Sequence, residues 1–133
     1  VYIHDRCESS THHSYSQIFN IGPDVDFNYD QNGNLNLSSN IDDTNVTLEQ
    51  LNQISAFTTF NGNTDPIMGW QSTTFNEVSP INAISYYIDG KDIEFNTVIN
   101  LENTITSVDY TVLEDTISYS IEFENSYEII IEI

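Results

Sequence analysis

Ile117-Ser118-Tyr119-Ser120-Ile121-Glu122-Phe123 alternates apolar and polar side chains without a break. A strand sends successive side chains to opposite faces, so this stretch reads as a strand with one face on a core and one in water. The chain end repeats the pattern, with Tyr127, Ile129, Ile131 and Ile133 set against Glu128, Ile130 and Glu132. Upstream, Ile93, Phe95 and Thr97 alternate with Glu94 and Asn96 before Val98 and Ile99 break the strict period. Similar runs cover Tyr2–Cys7, 15–21, 46–51, 56–60, 84–88 and Ile105–Leu113. Asn32-Gly33, Asn61-Gly62 and Asp89-Gly90 fall between runs and offer the positive φ angles that tight hairpins need. Short strands punctuated this way predict an all-β fold, an antiparallel two-sheet β-sandwich of about 9–12 strands. The one helical candidate is 44–53, where Thr44 could cap and Leu48 and Leu51 lie three apart. Val46-Thr47-Leu48-Glu49 reads equally well as strand, and the β context decides against a helix. Residues 1–133 contain no linker, repeat or low-complexity block and are expected to form a single domain. The very apolar last strand would be an aggregation hazard at an open edge, so it is expected to be central in its sheet or covered.

The charge balance narrows the partners. The chain carries 21 acidic residues against two basic ones, Arg6 and Lys91, a formal net charge of −19. Binding to a polyanion by counterion release needs clustered Lys or Arg, so nucleic acid is not an expected partner. No apolar run approaches the roughly 20 residues of a membrane-spanning helix, and no membrane insertion is expected. Cys7 is the single cysteine, which excludes an internal disulfide and reads as a small buried or half-buried side chain. Val1 opens directly in strand-like sequence with no initiator Met and no signal pattern, which suggests a cut from a longer protein.

Candidate chemistry is sparse. Asp24, Asp26, Asn28 and Asp30 fall at alternate positions, as oxygen ligands of a calcium loop do. However, Tyr29 stands where the loop needs glycine and Leu35 where it needs a bidentate glutamate. Acids on the wet face of a strand account for the same spacing. His4, His12, His13 and Asp5 invite comparison with a metal site, but zinc requires three or four converging ligands. His13 and Tyr15 would share a strand face, and with Arg6 could form an acid/base cluster. Hydrogen-bonded histidines near a strand start are the simpler reading. Pairs such as Asp42-Asp43 carry no weight among 21 acids. Asn36-Leu37-Ser38 and Asn45-Val46-Thr47 match the N-glycosylation sequon. No Gly-x-Ser-x-Gly elbow or phosphate-binding glycine loop occurs. No catalytic residue, metal ligand or cofactor is assigned from these patterns.

Several segments together resemble the C-terminal domain of the heparinase II/III-like family of polysaccharide lyases. Val1-Tyr2-Ile3-His4-Asp5-Arg6 resembles that family's strand ending in Asp plus a basic residue, and His13-Ser14-Tyr15-Ser16-Gln17-Ile18-Phe19 the strand that follows, with Gly22-Pro23-Asp24 just after it. Asp65-Pro66-Ile67-Met68-Gly69-Trp70-Gln71-Ser72 resembles its Gly-Trp-x-Ser turn. Pro80, 84–88 and Phe95-Asn96-Thr97-Val98-Ile99 resemble the next two strands. The series runs from Val1 to about Leu101, and Asn20 departs from it where relatives often carry His. The resemblance implies a module packed on an upstream catalytic domain of the same polypeptide, anionic polysaccharide reaching it through that domain, and an extracytoplasmic or cell-surface setting. The family's catalytic His and Tyr and its metal-binding segments have no counterpart here, so none is carried over. β-Elimination on a uronate needs a group that neutralises the carboxylate, a base and an acid. A chain with two cations is a poor place for them. The alternative is an independent carbohydrate-binding or surface adhesin module. For that role Trp70 and Tyr86 are the aromatic candidates for sugar contact, since a ring face suits a sugar's C–H face. For Trp70 the simpler expectation is a turn-anchored core residue.

Overall fold

The computed structural model describes residues 1–101, 105–113, 116–123 and 128–132. All regular structure in them is β. The longer strands are β1 (Tyr2–Cys7), β2 (His13–Ile21), β3 (Val25–Tyr29), β4 (Leu35–Ser39), β5 (Asn45–Gln50) and β6 (Ala56–Asn61). Two short ribbons follow, β7 (Asn63–Thr64) with β8 (Ile67–Met68), and β9 (Trp70–Gln71) with β10 (Ser79–Pro80). β11 (Asn82–Gly90), β12 (Ile93–Asn100), β13 (Ile105–Leu113), β14 (Thr116–Phe123) and β15 (Glu128–Glu132) complete the series. The expected two-sheet pairing is present as one sheet in the order β1-β12-β5-β4-β3 facing another in the order β2-β11-β6. A third sheet, β13-β14-β15, adds to it. All pairings are antiparallel.

Period-two alternation builds the core between the first two sheets. Ile93 and Phe95 of β12, Leu35 of β4 and Leu48 of β5 meet Ile21 of β2 and Ile84 and Tyr86 of β11 in one buried cluster. Each such side chain taken from water contributes about 1.5–3 kcal/mol. β12 is covered on its second face as well. There Val98 packs with Ile121 of β14, flanked by Tyr2, Leu51 and Val108. Asn96, on that same face, accepts a hydrogen bond from the Tyr2 hydroxyl and donates one to the Tyr119 hydroxyl. A strand covered on both faces loses its alternation of polarity, which is why Val98 and Ile99 break the sequence pattern.

A polar strut crosses the sandwich. Gln17 of β2 donates to Asp5 of β1 at 2.8 Å and accepts from Gln50 of β5 and Thr97 of β12, each at 2.8 Å. Thr97 is fully buried, so the Gln17 carbonyl supplies its hydroxyl with a needed acceptor.

Two expectations need correction. Gly33 and Gly62 do have positive φ, but Gly90 does not; it ends β11 in extended pairing with His13. The Asp89-Gly90 signal marks the turn from β11 to β12, which lie in different sheets rather than in a hairpin, and no residue of that turn takes a positive φ. The last strand is not central: among the described residues β15 pairs with β14 alone and forms the edge of its sheet. Tyr127 and Ile133, which were expected in it, lie outside the described residues. The 44–53 segment is strand from Asn45 to Gln50, as the β context requires.

Candidate functional site

Beside the β3–β4 hairpin lies an open groove of about 660 Å³. One wall is the hairpin tip, with Gln31, Asn32 and Asn34; the other is 50–57, running from the end of β5 into β6. Gln50, Asn52 and Gln53 add three more amides, and Leu51, Ile54 and Phe57 supply half-buried apolar surface. No lining residue is charged, in a chain of which 17% is charged.

The hairpin tip is built around Asp30. Its carboxylate accepts the backbone N–H groups of Asn32 at 2.8 Å and Asn34 at 3.0 Å, and the Asn34 side-chain amide at 3.1 Å. An aspartate satisfied by its own loop in this way is an Asx-type turn. Both oxygens of the calcium-like residue are therefore committed locally. Gly33, at φ 84°, then lets the Phe57 ring lie against the tip, where an added Cβ would stand 2.7 Å from Phe57 Cδ1. The Gly33 carbonyl accepts the Tyr86 hydroxyl at 2.7 Å, tying the tip to the core.

On the opposite wall β5 ends and the Asn52 side chain takes over its pairing. Asn52 Nδ2 donates to the Glu94 carbonyl at 2.7 Å, and Oδ1 accepts the Asn96 N–H at 2.8 Å. The side-chain amide thus continues the ladder along β12 for one more rung. Gln50 is held by Gln17, and Asn34 Oδ1 accepts the Gln50 N–H at 3.4 Å. By contrast, the side chains of Gln31, Asn32 and Gln53 are exposed and make no hydrogen bond among the described residues. The groove has a fixed frame with three free amides on its rim.

The residues singled out in the sequence do not converge here. Tyr86 is 0% exposed, edge-on to Phe19 and tilted against Phe57, so it presents no ring face for a sugar. Its aromatic strand position is a core position, and burial pushes its hydroxyl pKa well up, with Asp30 adding to the effect. Trp70 is half-buried on β9, outside the groove, and its Nε1 donates to the Asn63 carbonyl at 2.7 Å. It pins the β7–β10 excursion and is only partly a core residue.

Arg6 and His13 are separated by strand alternation. Cys7 packs half-buried on the core shared with β2, and Asp5 reaches Gln17, so Arg6 between them faces the other way. There it meets Glu8 at 2.7 Å and Glu94 at 3.9 Å, with His4 3.5 Å from Glu94. His13 contacts Thr11 at 2.8 Å and lies edge-on to Tyr15, whose hydroxyl donates to the Lys91 carbonyl. Among the described residues no three His, Cys, Asp or Glu side chains group as metal ligands. Tyr2 and Glu49 also titrate away from their ordinary values. Burial raises the Tyr2 hydroxyl to about 12, helped by Tyr119 and Glu94. Burial and the Asp30 charge raise the Glu49 carboxyl to about 6.

The groove escaped sequence reading because Asn and Gln at 31–34 and 50–53 look like turn residues. Comparison with known protein families, with curated proteins and with solved structures finds no match to this chain.

Proposed function

We propose that this chain is a non-catalytic, C-terminal β-sandwich module of a heparinase II/III-like polysaccharide lyase, acting by packing against and stabilising an upstream catalytic region. The observation that carries the reading is where the resembling segments fall. The first and last of them pair as β1 with β12, and the second and fourth as β2 with β11. The Gly-Trp turn closes back on Asn63. The resemblance therefore lies in the frame that holds the sandwich together, as expected of a structural module. Two further features agree. Ile67, Phe75 and Val78 on the 63–80 excursion are 82%, 92% and 63% exposed, apolar surface suited to a domain contact. Arg6 is engaged by acids on its own surface, so it is a poor clamp for a uronate carboxylate.

The test is to compare this chain with the full native polypeptide for production of unsaturated uronate ends from uronate-containing polysaccharides. The chain alone is expected to be inactive and the full polypeptide active. Elimination by the isolated chain, or a native polypeptide that begins at Val1, would refute the reading.

A further inference from the structure

We infer that the groove between the β3–β4 tip and 50–57 is a binding site for a neutral saccharide. The inference does not rest on the lyase reading; it follows from the groove's chemistry. A sugar presents hydroxyls that both donate and accept around a ring whose C–H face is apolar. Amides match the first property, since each offers two N–H donors and a carbonyl acceptor on a short planar fork. Half-buried apolar lining matches the second. Here the free amides of Gln31, Asn32 and Gln53 line the same groove as half-buried Leu51, Ile54 and Phe57.

The frame is ordered before any ligand arrives. Asn34 is bound to Asp30, Asn52 to the β12 backbone, and Phe57 lies against Gly33. Binding therefore orders little more than three surface side chains, which keeps its entropic cost low. Electrostatics then selects the class of sugar. With no cation in the lining and a net charge of −19 on the chain, a uronate or sulfated unit is repelled while a neutral unit is not.

The experiment is a titration of the ¹⁵N-labelled chain, followed by amide shifts and calorimetry. The probes are neutral hexasaccharides (β-1,4-glucan, β-1,3-glucan, β-1,4-mannan, β-1,4-xylan) and a hexuronate. At least one neutral probe is expected to give saturable shifts at Asn34, Asn52 and Phe57, while the hexuronate gives none. The triple variant Gln31→Ala, Asn32→Ala, Gln53→Ala alters exposed side chains only and should keep the wild-type spectrum elsewhere. It should weaken the neutral ligand about tenfold or more. The proposal fails if no neutral probe shifts these residues, if the triple variant binds as tightly as the wild type, or if the hexuronate binds in preference. None of those failures touches the accessory-module reading, which is judged by elimination activity of the longer polypeptide.

Discussion

Replacing Asn52 with Ala should cost the fold about 2–4 kcal/mol, although residue 52 contributes no backbone strand pairing. The magnitude follows from the two groups it serves. The Asn96 N–H belongs to a residue 2% exposed, and without Oδ1 at 2.8 Å it has no acceptor at that position. A buried donor stranded in this way costs about 1–3 kcal/mol. The Glu94 carbonyl, which receives Nδ2 at 2.7 Å, is nearer the surface, so water recovers part of its loss. With a urea slope of about 1–3 kcal/mol/M, the unfolding midpoint should fall by roughly 1–2 M. Amide exchange gives the residue-specific check: Asn96 should lose protection well before its β12 neighbours. Asn52→Asp is the discriminating control. Its carboxylate still accepts the Asn96 N–H but sets an anionic oxygen against the Glu94 carbonyl, so it should be as damaging as Ala at neutral pH and recover when protonated. A midpoint drop below about 0.3 M for Asn52→Ala, with Asn96 still protected, would show that the amide merely accompanies the strand end.

Gly69→Ala should destabilise by about 2–4 kcal/mol, because φ is 70° and the new Cβ would sit 2.7 Å from the Ile81 carbonyl; Gly22→Ala, with its nearest contact at 3.9 Å, should be close to neutral by the same denaturation assay. Gln17→Leu should cost about 2–3 kcal/mol by stranding the Thr97 hydroxyl, and adding Thr97→Val should return part of it, so equal single and double variants would break the strut argument. For Glu49, a folded-state pKa raised to about 6 from 4.5 means the fold holds a proton that the unfolded chain releases. That stability is fully present below the unfolded value and is lost as pH rises through about 6; discounted for solvent screening it amounts to about 1 kcal/mol. Glu49→Gln should therefore flatten the fall in melting temperature between pH 4.5 and 7, and an unchanged slope would contradict it.

The strands that alternate strictly were legible from side-chain chemistry alone, because one wet face and one dry face leave a period of two in the sequence. β14 contains the 117–123 run and β12 the 93–97 run, and the less regular runs Tyr2–Cys7 and Ile105–Leu113 match β1 and β13 as read. What the pattern underplays is the middle of the structure. The β3–β4 hairpin was signalled by Asn32-Gly33 between Val25, Phe27 and Leu35, Leu37, yet its short strands were obscured by a run of Asp and Asn. That run resembles metal ligation in sequence, whereas Asp26 and Asn28 are exposed on β3 and Asp30 caps its own turn. Gly90 shows the complementary limit: Asp89-Gly90 marks where the chain turns, yet the turn joins strands of different sheets and none of its residues takes a left-handed angle.

Sites are harder to read than strands here because the useful side chains are the least distinctive ones. Tyr86 drew attention as an aromatic on a strand, and that same property put it in the core, at 0% exposure. The amides at 31–34 and 50–53 looked like ordinary turn composition, and what separates them is long-range partnership. Asn52 is spent on β12, 42 and 44 residues away in the chain, and Gln50 on Gln17, 33 away. Gln31, Asn32 and Gln53 differ from these only in having no such partner, a distinction carried by topology rather than by sequence. The acidic composition acquires a more specific meaning from the same geometry. A chain of net charge −19 discourages anionic polymers, while this groove has no charged lining residue and offers hydrogen-bonding amides to neutral ones.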